Sequence, residues 1–167
     1  MIYAELNLPP MILLEHYGGH FLGYYEAVYQ AFRADFIDRP ASFRGVRLGL
    51  KKYPLVDGKE ATFYHMTHEG ADEANRTPDM RRMERIVWPK PIIDSSECNE
   101  LKVWKNKRGR DTRVLIWHEE ENYLVVLNDR GDYILPWTAY LVIHEHKRRK
   151  LKSEYEAYKK AEAAQRG

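Results

Sequence analysis

Cysteine is almost missing from this chain of 167 residues, since Cys98 is the only one. A disulfide scaffold is therefore excluded, and so is a metal centre built from cysteines. A reducing, cytoplasmic setting is the expected compartment. Long apolar runs are missing too. No stretch approaches the roughly 20 apolar residues of a membrane helix, so no membrane is expected as a partner. The cluster Met11 to Leu14 is short and flanked by Glu5 and Glu15, the wrong setting for a secretory signal. There is no GxSxG, no Walker loop and no GxGxxG, which moves triad hydrolases and nucleotide kinases well down the order of functions. HExxH, internal repeats and low-complexity linkers are absent as well.

What is present describes one globular unit, with 44% hydrophobic and 31% charged residues. The net charge of +2 is unevenly placed: residues 1–100 carry a net −3 and residues 101–167 a net +5. The C-terminal half can therefore face an anionic partner. Aromatic residues reach 13%, with 12 tyrosines. Trp88, Trp104, Trp117 and Trp137 are expected in the core rather than as base-stacking platforms.

An irregular lead ends at Pro9-Pro10. Apolar residues then recur at Leu14, Tyr17, Phe21, Tyr25, Val28, Phe32 and Phe36, in helical steps of three or four. Gly18, Gly19 and Gly23 weaken the first half, so the spacing predicts a helix from about Phe21 to Ile37, stopped by Pro40. Residues 1–42 form a helical lead to the domain of residues 43–167. Loops with one extended piece, Phe43 to Leu50, precede Thr62 to Met66, which fits a short strand or a helix start. A second helix is predicted from Pro78, capped by Thr77, with Met80, Met83, Ile86 and Val87 buried and Trp88 to Pro91 as its end. From Leu101 the period changes to that of strands: Leu101–Trp104, Thr112–His118, Tyr123–Leu127 and Tyr133–Ile143, an antiparallel meander with Pro136 at a kink or edge. A last helix, Glu145 to Ala164, places Leu151, Tyr155 and Tyr158 on one stripe. The fold class is α+β: N-terminal helices, a four-stranded antiparallel sheet and a basic C-terminal helix.

Reactive side chains are densest between Thr62 and Arg85. His65, Thr67, His68, Glu69, Arg76, Arg81, Arg82 and Arg85 all fall there. Imidazoles move protons near neutral pH, and guanidinium groups hold phosphates in a planar fork. Together they supply a base, an acid and a cationic clamp for metal-free phosphodiester cleavage. Arg81 and Arg85, four apart, are placed to address one phosphate. Thr138 and Tyr140 alternate along a strand and share a face. Arg113 and His118 lie on the second strand of the meander. The run Lys147, Arg148, Arg149, Lys150 after His146 attracts a nucleic-acid backbone. Alternatively, His65-x-x-His68 offers two metal ligands on one helical turn, with Glu69, Asp72 or His118 as a third. Cys98, in DSSECNE, has no motif around it.

The segments ATFYHMTHEG and RTPDMRRMERIVWPKPII (61–70 and 76–93), with YLVVLNDRGDYILPWTAY and HKRRKLKSEYEAYKKA (123–140 and 146–161), resemble phage-type members of the barnase–EndoU–colicin–RelE superfamily of metal-independent ribonucleases. Such domains set helices before a four-stranded antiparallel sheet, and mobile elements encode them as toxins or effectors. The resemblance covers about residues 43 to 160 and implies that residues 43–167 are a nuclease-like domain. It implies catalytic roles for His65, His68, Arg81, Arg85, Thr138 and Tyr140. Substrate-binding roles fall to Thr67, Arg76, Arg82, Arg113, His118, Lys147, Arg148, Arg149 and Lys150. Barnase-like members use a glutamate on the sheet as base. Glu119, in the turn after the second strand, is a weak match to it. No metal or other cofactor is expected. The partners implied are RNA (tRNA or mRNA) and a cognate antitoxin or immunity protein. The reaction expected is RNA cleavage by attack of a ribose 2′-hydroxyl, with either histidine as base. A non-catalytic RNA- or protein-binding accessory protein is the other function expected of such a chain.

Overall fold

Gly18 and Gly19, both at positive φ, turn the chain just before helix α1 (Phe21–Arg33). A computed structural model describes residues 6–166, and in it the His20 ring caps this helix, Nδ1 accepting from the Gly23 N–H at 3.1 Å. A wider π-helical turn, Ala34–Asp38, continues α1. The buried stripe is Tyr24, Val28, Phe32 and Phe36, in even steps of four. Tyr17 and Phe21, expected on it, are 41% and 39% exposed: the glycine turn between them breaks the helical register and leaves Phe21 in the first turn of α1.

Burial pushes the Asp35 carboxyl up to about 6, with Asp94 adding to the shift and Lys90 opposing it. Its proton is thus held more tightly in the folded chain than in the unfolded one, where an aspartate titrates near 3.9. Stability is fully present below about pH 4 and declines as pH rises through about 6. Asp35→Asn is expected to raise stability at pH 7.5 by about 1 kcal/mol, discounted for partial exposure, and to change nothing at pH 4. Thermal melts at the two pH values check this.

After a tight hairpin of β1 (Ser42–Phe43) and β2 (Val46–Arg47), the segment that fitted strand or helix forms α2 (Ala61–Thr67). Buried residues on several of its faces (Thr62, Phe63, His65, Met66 and Thr67) make it a core helix. Strand β3 (His68–Glu69) then pairs with β4 (Thr77–Pro78). This pairing holds Thr77 and Pro78 extended, so the predicted cap moves two residues on. Asp79 caps α3 (Met80–Glu84), its Oδ1 accepting from the N–H groups of Arg81 at 3.0 Å and Arg82 at 3.3 Å. WPKP does not end that helix. It opens α4 (Pro89–Asp94), since proline suits a first turn.

The sheet is a meander in the order β5 (Leu101–Arg108), β6 (Asp111–His118), β7 (Tyr123–Asp129) and β8 (Ile134–Leu141). Strand β5 runs four residues beyond Trp104, carrying Asn106, Lys107 and Arg108 into pairing with β6. A register shift at Val126/Leu127 accommodates Pro136 on the edge strand β8, where its missing N–H costs no ladder bond with an outer neighbour. Alternation gives the sheet two apolar faces. On one, Val114, Ile116, Tyr123 and Val125 pack with Phe32, Phe63, Met83 and Ile92, so residues before and after 42 share this core. On the other, Trp104, Leu115, Trp117, Leu124 and Val126 meet Leu151, Tyr155 and Tyr158 of α5 (Glu145–Arg166). Among the described residues no helix is long and apolar enough to cross a membrane.

Candidate functional site

Arg82 stands where α2, α3 and β8 meet. Its Nε lies 3.1 Å from Asp79 Oδ2. Its Nη1 donates to the carbonyl oxygens of His68 (2.9 Å) and His65 (3.3 Å) and to Thr138 Oγ1 (3.1 Å). The guanidinium carbon lies 5.3 Å from the centre of the Tyr140 ring. Thr138 in turn donates to the His65 carbonyl at 3.4 Å. One planar fork therefore fixes two helices against the edge strand. The pair Thr138 and Tyr140 is brought together around it.

The imidazoles of His65 and His68 do not join this arrangement; only their backbone carbonyls do. Their side chains are buried, at 5% and 8% exposure. The His68 ring lies 4.5 Å from the Tyr64 ring, and its Nδ1 is 2.9 Å from Thr67 Oγ1. Burial draws its pKa below the usual histidine value, and the charges of Arg76 and Arg82 pull the same way. Thr67 is fully buried and donates to the Phe63 carbonyl at 2.8 Å, so it presents no hydroxyl to a substrate. Arg76 reaches the His68 carbonyl at 3.4 Å. Arg85 does not share a phosphate with Arg81. Helix α3 ends at Glu84, and Arg85 folds back over Trp88 while donating to the Arg81 carbonyl.

His118, buried at the far end of β6, accepts from the Glu121 N–H and lies 3.8 Å from Glu100. It organises the β6–β7 turn. Glu119 is paired with Lys102, which removes it as a base. Among the described residues, no three His, Cys, Asp or Glu side chains are grouped to hold a metal ion.

Beside Arg82 opens a cleft of 590 Å³ between β3–β4, α3, the end of β8 and the start of α5. Arg81, Arg82 and Lys147 are its cations, Glu69 and Asp79 its carboxylates, and Tyr140, His144 and His146 complete its reactive lining. Asp79 is already engaged by Arg82 and by the α3 amides. The two exposed imidazoles stack with centres 5.7 Å apart and planes inclined by 26°. His144-Glu145-His146, four to six residues beyond Tyr140, where strand β8 delivers the chain to α5, was not singled out from the sequence.

The basic run divides by helical position. Lys147 lines the cleft, whereas Arg148 and Arg149 lie 3.2 and 3.9 Å from Glu145. Arg113 and Lys150 line a neighbouring groove. No protein-family model, curated protein or solved structure matches the chain.

Proposed function

We propose that the cleft cleaves RNA without a metal ion, by attack of a ribose 2′-hydroxyl on the adjacent phosphorus. The observation that carries this reading is the lining of one cleft: two imidazoles, two arginines and a lysine around a volume that admits a nucleotide. The resemblance to phage-type metal-independent ribonucleases points the same way. One imidazole of the His144–His146 pair takes the 2′-hydroxyl proton as the new P–O bond forms. The other gives a proton to the departing 5′-oxygen as the old bond breaks. Arg81, Arg82 and Lys147 face the extra negative charge of the five-coordinate phosphorane, in a cleft where cations act with less competition from water. Glu69, which has no cationic partner among the described residues, is the second acceptor at hand. The products are a 2′,3′-cyclic phosphate and a 5′-hydroxyl.

Incubation of the purified protein with tRNA or total RNA in excess EDTA tests this. Fragments ending in 2′,3′-cyclic phosphate are expected. Intact RNA under all conditions, or cleavage that EDTA abolishes, rejects the proposal. Tight RNA binding with no cleavage identifies a non-catalytic binder instead.

A further inference from the structure

A second depression of 340 Å³ lies between the β5–β6 hairpin and α5. Tyr140 and Lys147 line both it and the cleft, so the two adjoin. Its other cations are Lys107, Arg108, Arg113 and Lys150, against a single carboxylate, Glu154. That carboxylate is held by Trp104 Nε1 at 2.8 Å and Asn106 Nδ2 at 2.5 Å. Arg113 is oriented by its Nε bond to Asn106 Oδ1 at 2.9 Å, which leaves the guanidinium's outer edge to the groove.

Six basic residues elsewhere on this half of the chain are matched with acids: Lys102 with Glu119, Lys105 with Asp129, Arg148 and Arg149 with Glu145, and Lys159 and Arg166 with Glu162. Those facing the groove have no such partner among the described residues. A concave row of unmatched cations that adjoins a phosphate-sized cleft is the form of a backbone track for a single strand.

Resting on the reading of the cleft above, we infer that this groove holds the backbone of the same RNA strand beside the scissile phosphate. The substrate is then a single-stranded segment of several nucleotides rather than an isolated dinucleotide.

The test uses the full chain and the variant Lys107→Ala/Arg108→Ala, two exposed positions outside the cleft. Melting curves confirm that the variant folds. Fluorescence anisotropy of a labelled, non-cleavable 2′-O-methyl 12-mer is followed across salt concentration. The variant is expected to bind at least about tenfold more weakly. The slope of log affinity against log salt is expected to fall by about 1.4, from about 0.7 per phosphate contact on a single strand. Cleavage of a dinucleotide should stay within about twofold of wild type while cleavage of a 12-mer drops. Equal affinity and slope in the two proteins, no 12-mer binding by wild type, or equal losses on dinucleotide and 12-mer overturn the inference. Loss of 12-mer binding in the variant, with no RNA cut by either protein, upholds the groove and rejects the nuclease reading of the cleft.

Discussion

Arg82→Met is expected to cost about 3–5 kcal/mol of folding free energy, the range for removing one partner of a buried ion pair. The side chain is 13% exposed and serves four polar partners at once. Methionine fills similar length but donates nothing. It leaves Asp79 without its cation, Thr138 Oγ1 without a donor, and the carbonyls of His65 and His68 with only the long bonds from Thr138 and Arg76. Each of those groups is then desolvated with less return. With total stability of a domain at about 5–15 kcal/mol, this is a large share of the whole. Urea unfolding of the two proteins measures it, and a loss below about 1 kcal/mol contradicts the structural role given to Arg82. Arg82→Lys is not expected to rescue, because a point charge cannot reach Asp79 and three oxygens in different directions. Arg81, exposed one residue earlier in α3, is the contrast: Arg81→Ala should lower RNA cleavage and leave stability within about 0.5 kcal/mol.

The second large effect concerns the imidazoles. His144→Ala and His146→Ala are each expected to lower kcat/KM for RNA by about 10²–10⁴, the usual worth of one acid–base group. The double variant should be little worse than the poorer single one, since both act in one step. His65→Ala and His68→Ala should behave otherwise. They empty space in the core around α2, so lost activity should follow lost stability and return when the temperature is lowered. If His65→Ala abolishes cleavage with an unchanged melting temperature while His144→Ala cuts normally, the assignment of the cleft is wrong.

The strands were legible because alternation is a local signal. Val114 to Trp117 and Tyr123 to Leu127 put every second side chain on one face, and both faces are buried. The break between α3 and α4 was not legible. Arg81 to Val87 carries a helical period, and only the pairing of Thr77-Pro78 with His68-Glu69 shows that the helix starts at Asp79 and is short. The burial of the histidines was not legible for a similar reason. Residue type marks His65 and His68 as reactive, yet exposure is settled by tertiary packing, in which α2 is enclosed between the edge of β8 and α1. That Thr138 and Tyr140 share a face was legible because a strand's two-residue period fixes it without knowledge of the rest. His144 and His146 follow the strand by a few residues, where neither period applies.

The C-terminal helix rests on its own small apolar cluster, apart from the larger core that unites the sheet with the preceding helices. Its hold is mainly Leu151, Tyr155 and Tyr158 with the Trp104–Glu154 hydrogen bond, worth on the order of a few kcal/mol. Amide hydrogen exchange should therefore find α5 opening as a unit of its own, well before the meander gives way. Each such excursion removes His146, Lys147 and Lys150 together, so the lifetime of the proposed site is governed by the docking of one rod and not by the endurance of the open sheet beneath it.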